Sequence, residues 1–250
     1  MSGHSKWASI KHKKGAADKK RGQLFSKLAR ALIVASREGG PDPAANLALA
    51  NAIEKARSYS MPKDNIDRAI ARGSGADADA DAFEQVVYEG YGPDGVAIIV
   101  EALTDNRNRT AADVRAVFSK HHASLGAPGS VAWQFDRKGV IHVPAEGTTE
   151  DEVVLAAADA GAEDAAVDGS VWQVTTAPTD LAAVRDGLEA SGLPVESAEL
   201  RLVPRSTIGL DEDGARKLLR LIDSLEDLDD VQDVYANFDI PDAVLEAVAG

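Results

Sequence analysis

Three features of the 250-residue sequence predict an α+β chain in three parts. Apolar residues recur at helical spacing through residues 21–73. From residue 83 onward, β-branched runs of strand length alternate with helical stretches. Between the two lies Ser74-Gly75-Ala76-Asp77-Ala78-Asp79-Ala80-Asp81, small and acidic with no periodicity, which reads as a linker. The expected parts are a basic helical domain with an extended N-terminal arm (1–75), a discontinuous α+β domain (82–136 plus 206–250), and a βαββαβ domain (137–205).

Each element follows from its residues. Residues 1–20 are rich in Lys, Gly and Ser and form the arm. Phe25, Leu28, Ala29, Leu32 and Ile33 then recur at three- and four-residue steps, an amphipathic helix over about 21–37 that Glu38-Gly39-Gly40-Pro41 stops. A second helix, about 43–59, carries Leu47, Ala50 and Ile53 on one side. Ser60 is expected to cap a third helix with Pro62 in its first turn, its stripe being Ile66, Ala69 and Ile70 and its stop Gly73. Strands follow at 83–91 and 96–103, then a helix at 110–121 and a strand at 131–135. Next come a strand at 140–143, a helix at 149–160, strands at 162–167 and 171–176, a helix at 180–191 and a strand at 195–203. This order is the split-βαβ, ferredoxin-like arrangement. A helix at 211–225 and a strand at 231–237 have no neighbour in sequence, so they are expected to complete the sheet begun at 83–135.

Composition narrows the function classes. A 44% apolar content excludes a wholly disordered chain. The absence of cysteine excludes disulfides, thiolate metal sites and a Cys nucleophile, and fits a reducing cytoplasm. No apolar run approaches the ~18–20 residues of a membrane helix; Val96-Ala97-Ile98-Ile99-Val100 is strand-sized. A soluble cytoplasmic protein without a membrane partner is expected. The formal net charge of −14 conceals a division. Residues 1–73 hold 15 basic and six acidic residues, a balance of +9, whereas 74–250 hold 12 basic and 35 acidic residues, a balance of −23. The first segment suits a polyanion, and the second would be repelled by it.

The chemistry-bearing residues follow that division. Lys6, Trp7, Lys11, His12, Lys13 and Lys14 on the arm, with Lys19, Lys20, Arg21, Lys27 and Arg30, are the candidate nucleic-acid contacts. The cations would meet phosphates, and Trp7 would either stack on a base or bury itself against the helices. A solvated basic tail is the bland alternative. Gly90-Tyr91-Gly92-Pro93-Asp94-Gly95 matches G-x-G-x-x-G, but a strand follows it instead of a helix, so a hairpin turn is expected. Thr110 and Asp113 resemble a capping pair. Arg107 and Arg109, just ahead of that helix, are candidates for an anion or RNA contact, or for pairing with local acids. His121 and His122 point about 100° apart on a helix and do not chelate together. There is no Walker A loop, G-x-S-x-G elbow, H-E-x-x-H or Ca²⁺-loop spacing, so no enzyme activity, metal or cofactor is expected. A protein-interaction module, or an enzyme of the acidic domains, is the remaining alternative.

Gly3-His4-Ser5-Lys6-Trp7 and Ile10-Lys11-His12-Lys13-Lys14 resemble the opening of the YebC/PmpR family. So do Gly39 through Pro43, Met61-Pro62-Lys63-Asp64-Asn65-Ile66, Tyr88 through Pro93 and Leu103 through Thr110. The chain departs from the family at His121-His122-Ala123, where Gly-Gly is more usual. The resemblance implies three domains with a discontinuous middle one, and a bacterial, cytoplasmic, DNA-binding transcriptional regulator. It also implies a second possibility, since relatives include a mitochondrial translational activator of cytochrome oxidase subunit I and bacterial members linked to the ribosome and to relief of stalling at proline runs. The expected partner is therefore duplex DNA, or ribosomal or transfer RNA, on the same basic surface, with a protein partner for the acidic domains. The lack of a clear helix-turn-helix with base-reading side chains leans toward RNA.

Overall fold

The structure, a computed structural model, describes residues 18–76, 83–241 and 244. The N-terminal part contains α1 (Asp18–Gly39), α2 (Leu47–Ser58) and α3 (Lys63–Ala71). Their apolar stripes meet in a core that includes Leu28, Leu32, Leu49, Ile53, Met61 and Ile66. Helix α2 begins later than its apolar pattern suggests because Asn46, not Pro43, sets its start. The Asn46 side chain accepts from the Leu49 N–H at 3.1 Å and donates to the carbonyls of Ala35 at 2.7 Å and Gly40 at 2.8 Å. One buried amide thus caps α2 and satisfies the frayed end of α1. Ser60 does not cap α3; its φ is +57° and Pro62 stands at the N-cap without a side-chain bond.

The remaining elements, in order, are β1 (Glu84–Tyr91), β2 (Ala97–Thr104), α4 (Arg107–Lys120), β3 (Ser124–Leu125), β4 (Phe135–Pro144), α5 (Glu150–Ala160), β5 (Asp164–Asp168), β6 (Val171–Thr176), α6 (Leu181–Ala190), β7 (Ser197–Pro204), β8 (Ile208–Gly209), α7 (Glu212–Glu226), β9 (Val231–Ala236) and β10 (Phe238–Asp239). One sheet has the order β3-β1-β2-β9 and the other β5-β6-β4-β7, while β8 and β10 form a short parallel pair. Every pairing in the second sheet is antiparallel, with β4 and β6 central. That is the strand order of a split βαβ. The chain is mixed helix and sheet, as its sequence predicts.

Strand β2 is covered on both faces, which is why its sequence is a continuous apolar run. On one side α4 and α7 pack Phe118, Leu218 and Ile222 over Ile98, Val100 and Val234. On the other, Ala97, Ile99 and Tyr235 meet Val131, Phe135 and Leu202, so the two sheets share a buried seam. The β1–β2 hairpin turns through Asp94 at φ +56° and Gly95 at φ +79°, closed by the Gly92 N–H donating to the Val96 carbonyl at 2.8 Å. The glycine pattern is therefore turn chemistry, as expected.

The strand expected at 131–135 is absent. Ala132–Gln134 form a single 3₁₀ turn, and Phe135 opens β4, which runs unbroken to Pro144. The cause is Glu89, whose buried carboxylate accepts from the N–H groups of Gly129 at 2.6 Å, Val131 at 2.8 Å and Ala132 at 2.9 Å. Backbone donors taken by a carboxylate cannot join a ladder.

Gly90 sits where β1 passes under α4. A Cβ there would lie 2.5 Å from Phe118 Cε1 and 2.6 Å from the Ser124 carbonyl oxygen. Gly90→Ala is expected to destabilise the chain by about 1–3 kcal/mol, read as a lowered midpoint in urea with an unchanged m-value.

Candidate nucleic-acid interface

Of the candidate contacts, Lys6, Trp7, Lys11, His12, Lys13 and Lys14 lie outside the described residues. Lys19, Lys20 and Arg21 fall on the first turn of α1, and their side chains are likewise outside the description. Lys27 and Arg30 are described, and both turn inward. Three residues apart on α1, they share one face and meet the acidic corner between α7 and β9. Lys27 Nζ donates to the Glu226 carbonyl. Arg30 donates to the Asp229 carbonyl at 2.5 Å and to the Asp230 carboxylate at 2.9 Å. Burial lowers the Lys27 pKa, an effect that the charges of Glu226, Asp233 and Asp229 oppose. Reading the two cations as phosphate contacts missed this competition, because their partners lie about 200 residues further along the chain.

Asp230 is the centre of the corner. Its buried carboxylate also accepts from Arg109 at 2.8 Å and Thr110 at 2.7 Å, with the Thr104 hydroxyl at 3.3 Å. Burial disfavours the charged form, but the hydrogen bonds from Arg109 and Thr110, together with the charges of Arg109 and Arg30, prevail and hold its pKa below the usual carboxylate range. Arg109 is also bonded to Asp105 at 2.7 Å, so the local-acid alternative describes it. The hydrogen bonds that Arg109 donates to Asp230 and Asp105 push its pKa upward. Arg107 is exposed, 3.5 Å from Glu84. Thr110 is not the helix cap. Asn106 caps α4 by accepting from the Arg109 N–H at 3.1 Å, which frees Thr110, one turn in, to reach Asp230 and Thr104.

A second junction joins α2 to the other two parts. Lys55 Nζ lies 3.1 Å from Asp233 on β9 and 3.6 Å from Glu199 on β7. Attraction to Asp233 is the largest influence, and it raises the Lys55 pKa despite burial. The Arg185 guanidinium of α6 meets both carboxylate oxygens of Glu54 at 3.1 Å. The exposed face of α3 presents Lys63, Asp64, Asp67 and Arg68, with Lys63 bonded to Asp67 at 2.6 Å. A groove of about 600 Å³ lies between α2 and α3, lined by Met61, Ile66 and Ile70 with Arg57 and Lys63.

Of the two histidines, His121 joins two helices and His122 is exposed. His121 Nε2 lies 2.9 Å from the Ser224 hydroxyl, linking α4 to α7, and His122 turns at φ +55°. Among the described residues no group of three His, Asp or Glu could hold a metal ion. No described helix is long and apolar enough to cross a membrane.

These features define a class: a three-part α+β protein whose basic helical part is held by ion pairs against an acidic two-sheet body. Residues 5–76 match the model of the TACO1/YebC protein N-terminal domain, and residues 83–238 match that of the TACO1/YebC second and third domain. The chain belongs to the TACO1/YebC family. It is 58% identical over 250 residues, all of both chains, to a "probable transcriptional regulatory protein" of Rubrobacter xylanophilus. A protein of the same description from Acidothermus cellulolyticus is 54% identical over 248 residues, 99% of this chain and 100% of that one. The fold is shared with the crystal structure of a conserved hypothetical protein from Aquifex aeolicus. The TM-score is 0.82 at 49% identity, covering 90% of this chain and 93% of the other.

Removing the Asp230 carboxylate leaves Arg30, Arg109 and Thr110 without their shared acceptor. Asp230→Ala is expected to cost about 2–4 kcal/mol, less than a fully buried pair because Arg109 is half exposed. The pH dependence has a definite sign. The folded pKa lies below the unfolded value, so the stabilisation is complete above about pH 4 and is lost as pH falls through the folded pKa. Denaturation midpoints measured from pH 7 downward should fall in the wild type over that acid range, and the fall should be shallower in Asp230→Ala.

Proposed function

We propose that this chain is a nucleic-acid-binding regulator of gene expression that engages its target through the basic N-terminal segment, acting in the cytoplasm on duplex DNA as a transcriptional regulator. The observation that carries this reading is where the cations go. Lys27, Arg30 and Lys55 are already engaged by the acidic body, whereas residues 1–21 hold seven basic residues against the single acid Asp18. The names of the curated relatives support a role in transcription. Phosphate contacts by Lys6, Lys11, Lys13, Lys14, Lys19, Lys20 and Arg21 would supply salt-dependent affinity with little sequence preference. The reading requires no catalytic residue and no cofactor.

One observation favours a second reading, a translation factor whose same surface contacts ribosomal or transfer RNA. A groove-reading helix presents basic and amide side chains to the bases. The exposed face of α3 instead balances two acids against two bases, with Lys63 tied to Asp67. That face suits duplex readout poorly, and phosphate-led binding of a shaped RNA does not need it.

Replacing Lys11, Lys13 and Lys14 together by Glu should weaken binding strongly. It should also flatten the slope of log affinity against log salt by about one unit per lost contact. Unchanged affinity would defeat the assignment to the N-terminal segment. Co-sedimentation with ribosomes, run beside a gel-shift series on promoter DNA, separates the two targets. Sequence-specific shifts without ribosome association support transcription, and the reverse supports translation.

A further inference from the structure

Tyr91 and Trp133 are exposed aromatics with a fixed geometry. Tyr91 Oη donates to the Ser130 carbonyl at 2.9 Å, and Trp133 Nε1 donates to that same oxygen at 3.0 Å. The two polar ring atoms therefore lie within about 6 Å of each other. Trp133 is 66% exposed and Tyr91 37%. The loop that carries Ser130 is itself pinned. The Glu89 carboxylate holds the N–H groups of Gly129, Val131 and Ala132, and the Gly126 N–H donates to the Glu89 carbonyl at 2.8 Å. Burial works against the charge on Glu89, but the three backbone donors outweigh it and keep the carboxylate ionised. The rings are thus ordered without being buried, so little conformational entropy remains for a partner to remove.

The charge pattern says which partner. In the −23 segment, acids fall on average about every fifth residue, yet residues 114–135 contain none. This acid-free stretch of 22 residues is twice the length of any other after residue 74. It carries Arg115, Lys120, His121 and His122 and ends in the pinned loop. A second acid-free stretch, 200–210, runs beside it, where the Arg205 N–H donates to the Gln134 carbonyl at 2.9 Å. Trp133, and the Ser130 carbonyl that Tyr91 bonds, thus lie on the longest acid-free stretch of the acidic segment, which lessens the local repulsion of a polyanion. Resting on the second reading above, contact with a shaped RNA, we propose that Tyr91 and Trp133 form a stacking platform for an unpaired nucleobase, a second contact that selects single-stranded or looped nucleic acid over a continuous duplex. A duplex keeps its base faces stacked on one another, whereas an unpaired base presents one to an aromatic ring.

The test measures binding of the full chain to a labelled single-stranded oligouridine and to a blunt-ended duplex of equal length with no unpaired base, across a salt series. Trp133→Ala should bind the single strand about ten-fold more weakly, the scale of one lost stacking contact. Its salt slope should be unchanged, because no phosphate contact is removed, and duplex affinity should stay at the wild-type value. Trp133→Phe, which keeps a ring, should recover most of the loss. Thermal melting of each variant reads folding separately, since a side chain this exposed carries little of the core. Single-strand affinity of Trp133→Ala equal to wild type overturns the proposal and leaves the ring pair to a protein contact. Equal losses on single strand and duplex overturn it as well. A wild type that binds neither probe defeats the nucleic-acid reading itself, a result distinct from either of these.

Discussion

One carboxylate ties the helical part to the sheet that β9 completes. Asp230 accepts from Arg30 of the helical part, from Arg109 and Thr110 at the start of α4, and sits beside Thr104 at the end of β2. Its own carbonyl accepts from the Leu103 N–H at 2.8 Å, so the same residue also closes the ladder where β9 joins β2. A buried carboxylate is stabilising only when its oxygens are filled. Filling them here draws together α1, α4, β2 and the turn after α7. The orientation of the helical part against the body depends on this group.

The consequence for function is a sorting of like charges. Helix α1 turns Lys27 and Arg30 toward the body, and α2 does the same with Lys55. The body meets them with Glu226, Asp229, Asp230, Asp233 and Glu199. Cations held this way pair with acids of the body, and seven further basic residues lie in the first 21 positions of the sequence. The −23 balance of residues 74–250 opposes a polyanion, and residues 114–135 are the longest stretch of that segment without an acid.

What the sequence makes legible is what neighbours decide. The stripe of Leu28, Leu32 and Ile33, the doubly buried run Ala97–Val100 and the βαββαβ rhythm each arise from a local period, and each reappears in the structure. The rejection of a dinucleotide loop at Gly90–Gly95 also rested on local turn chemistry. Where a distant side chain intervenes, local reading fails. Glu89 takes the backbone donors that would have made a strand near Val131, across about 40 residues. Asp230 turns Thr110 from an expected cap into an interior anchor, across 120 residues. In the same way, Lys27 and Arg30 look like phosphate contacts until their acids arrive from the far end of the chain. The pairing of Tyr91 with Trp133 through one carbonyl leaves no mark in either residue's own surroundings.

Hydrogen–deuterium exchange of the full chain, with and without bound nucleic acid, tests the central claim most directly. The account predicts slowed exchange in the N-terminal segment up to the start of α1 and in residues 124–133, with the corner at 226–233 as protected in the complex as in the free protein. Faster exchange at 226–233 on binding would contradict it, because Lys27 and Arg30 would then have left their acids for phosphates.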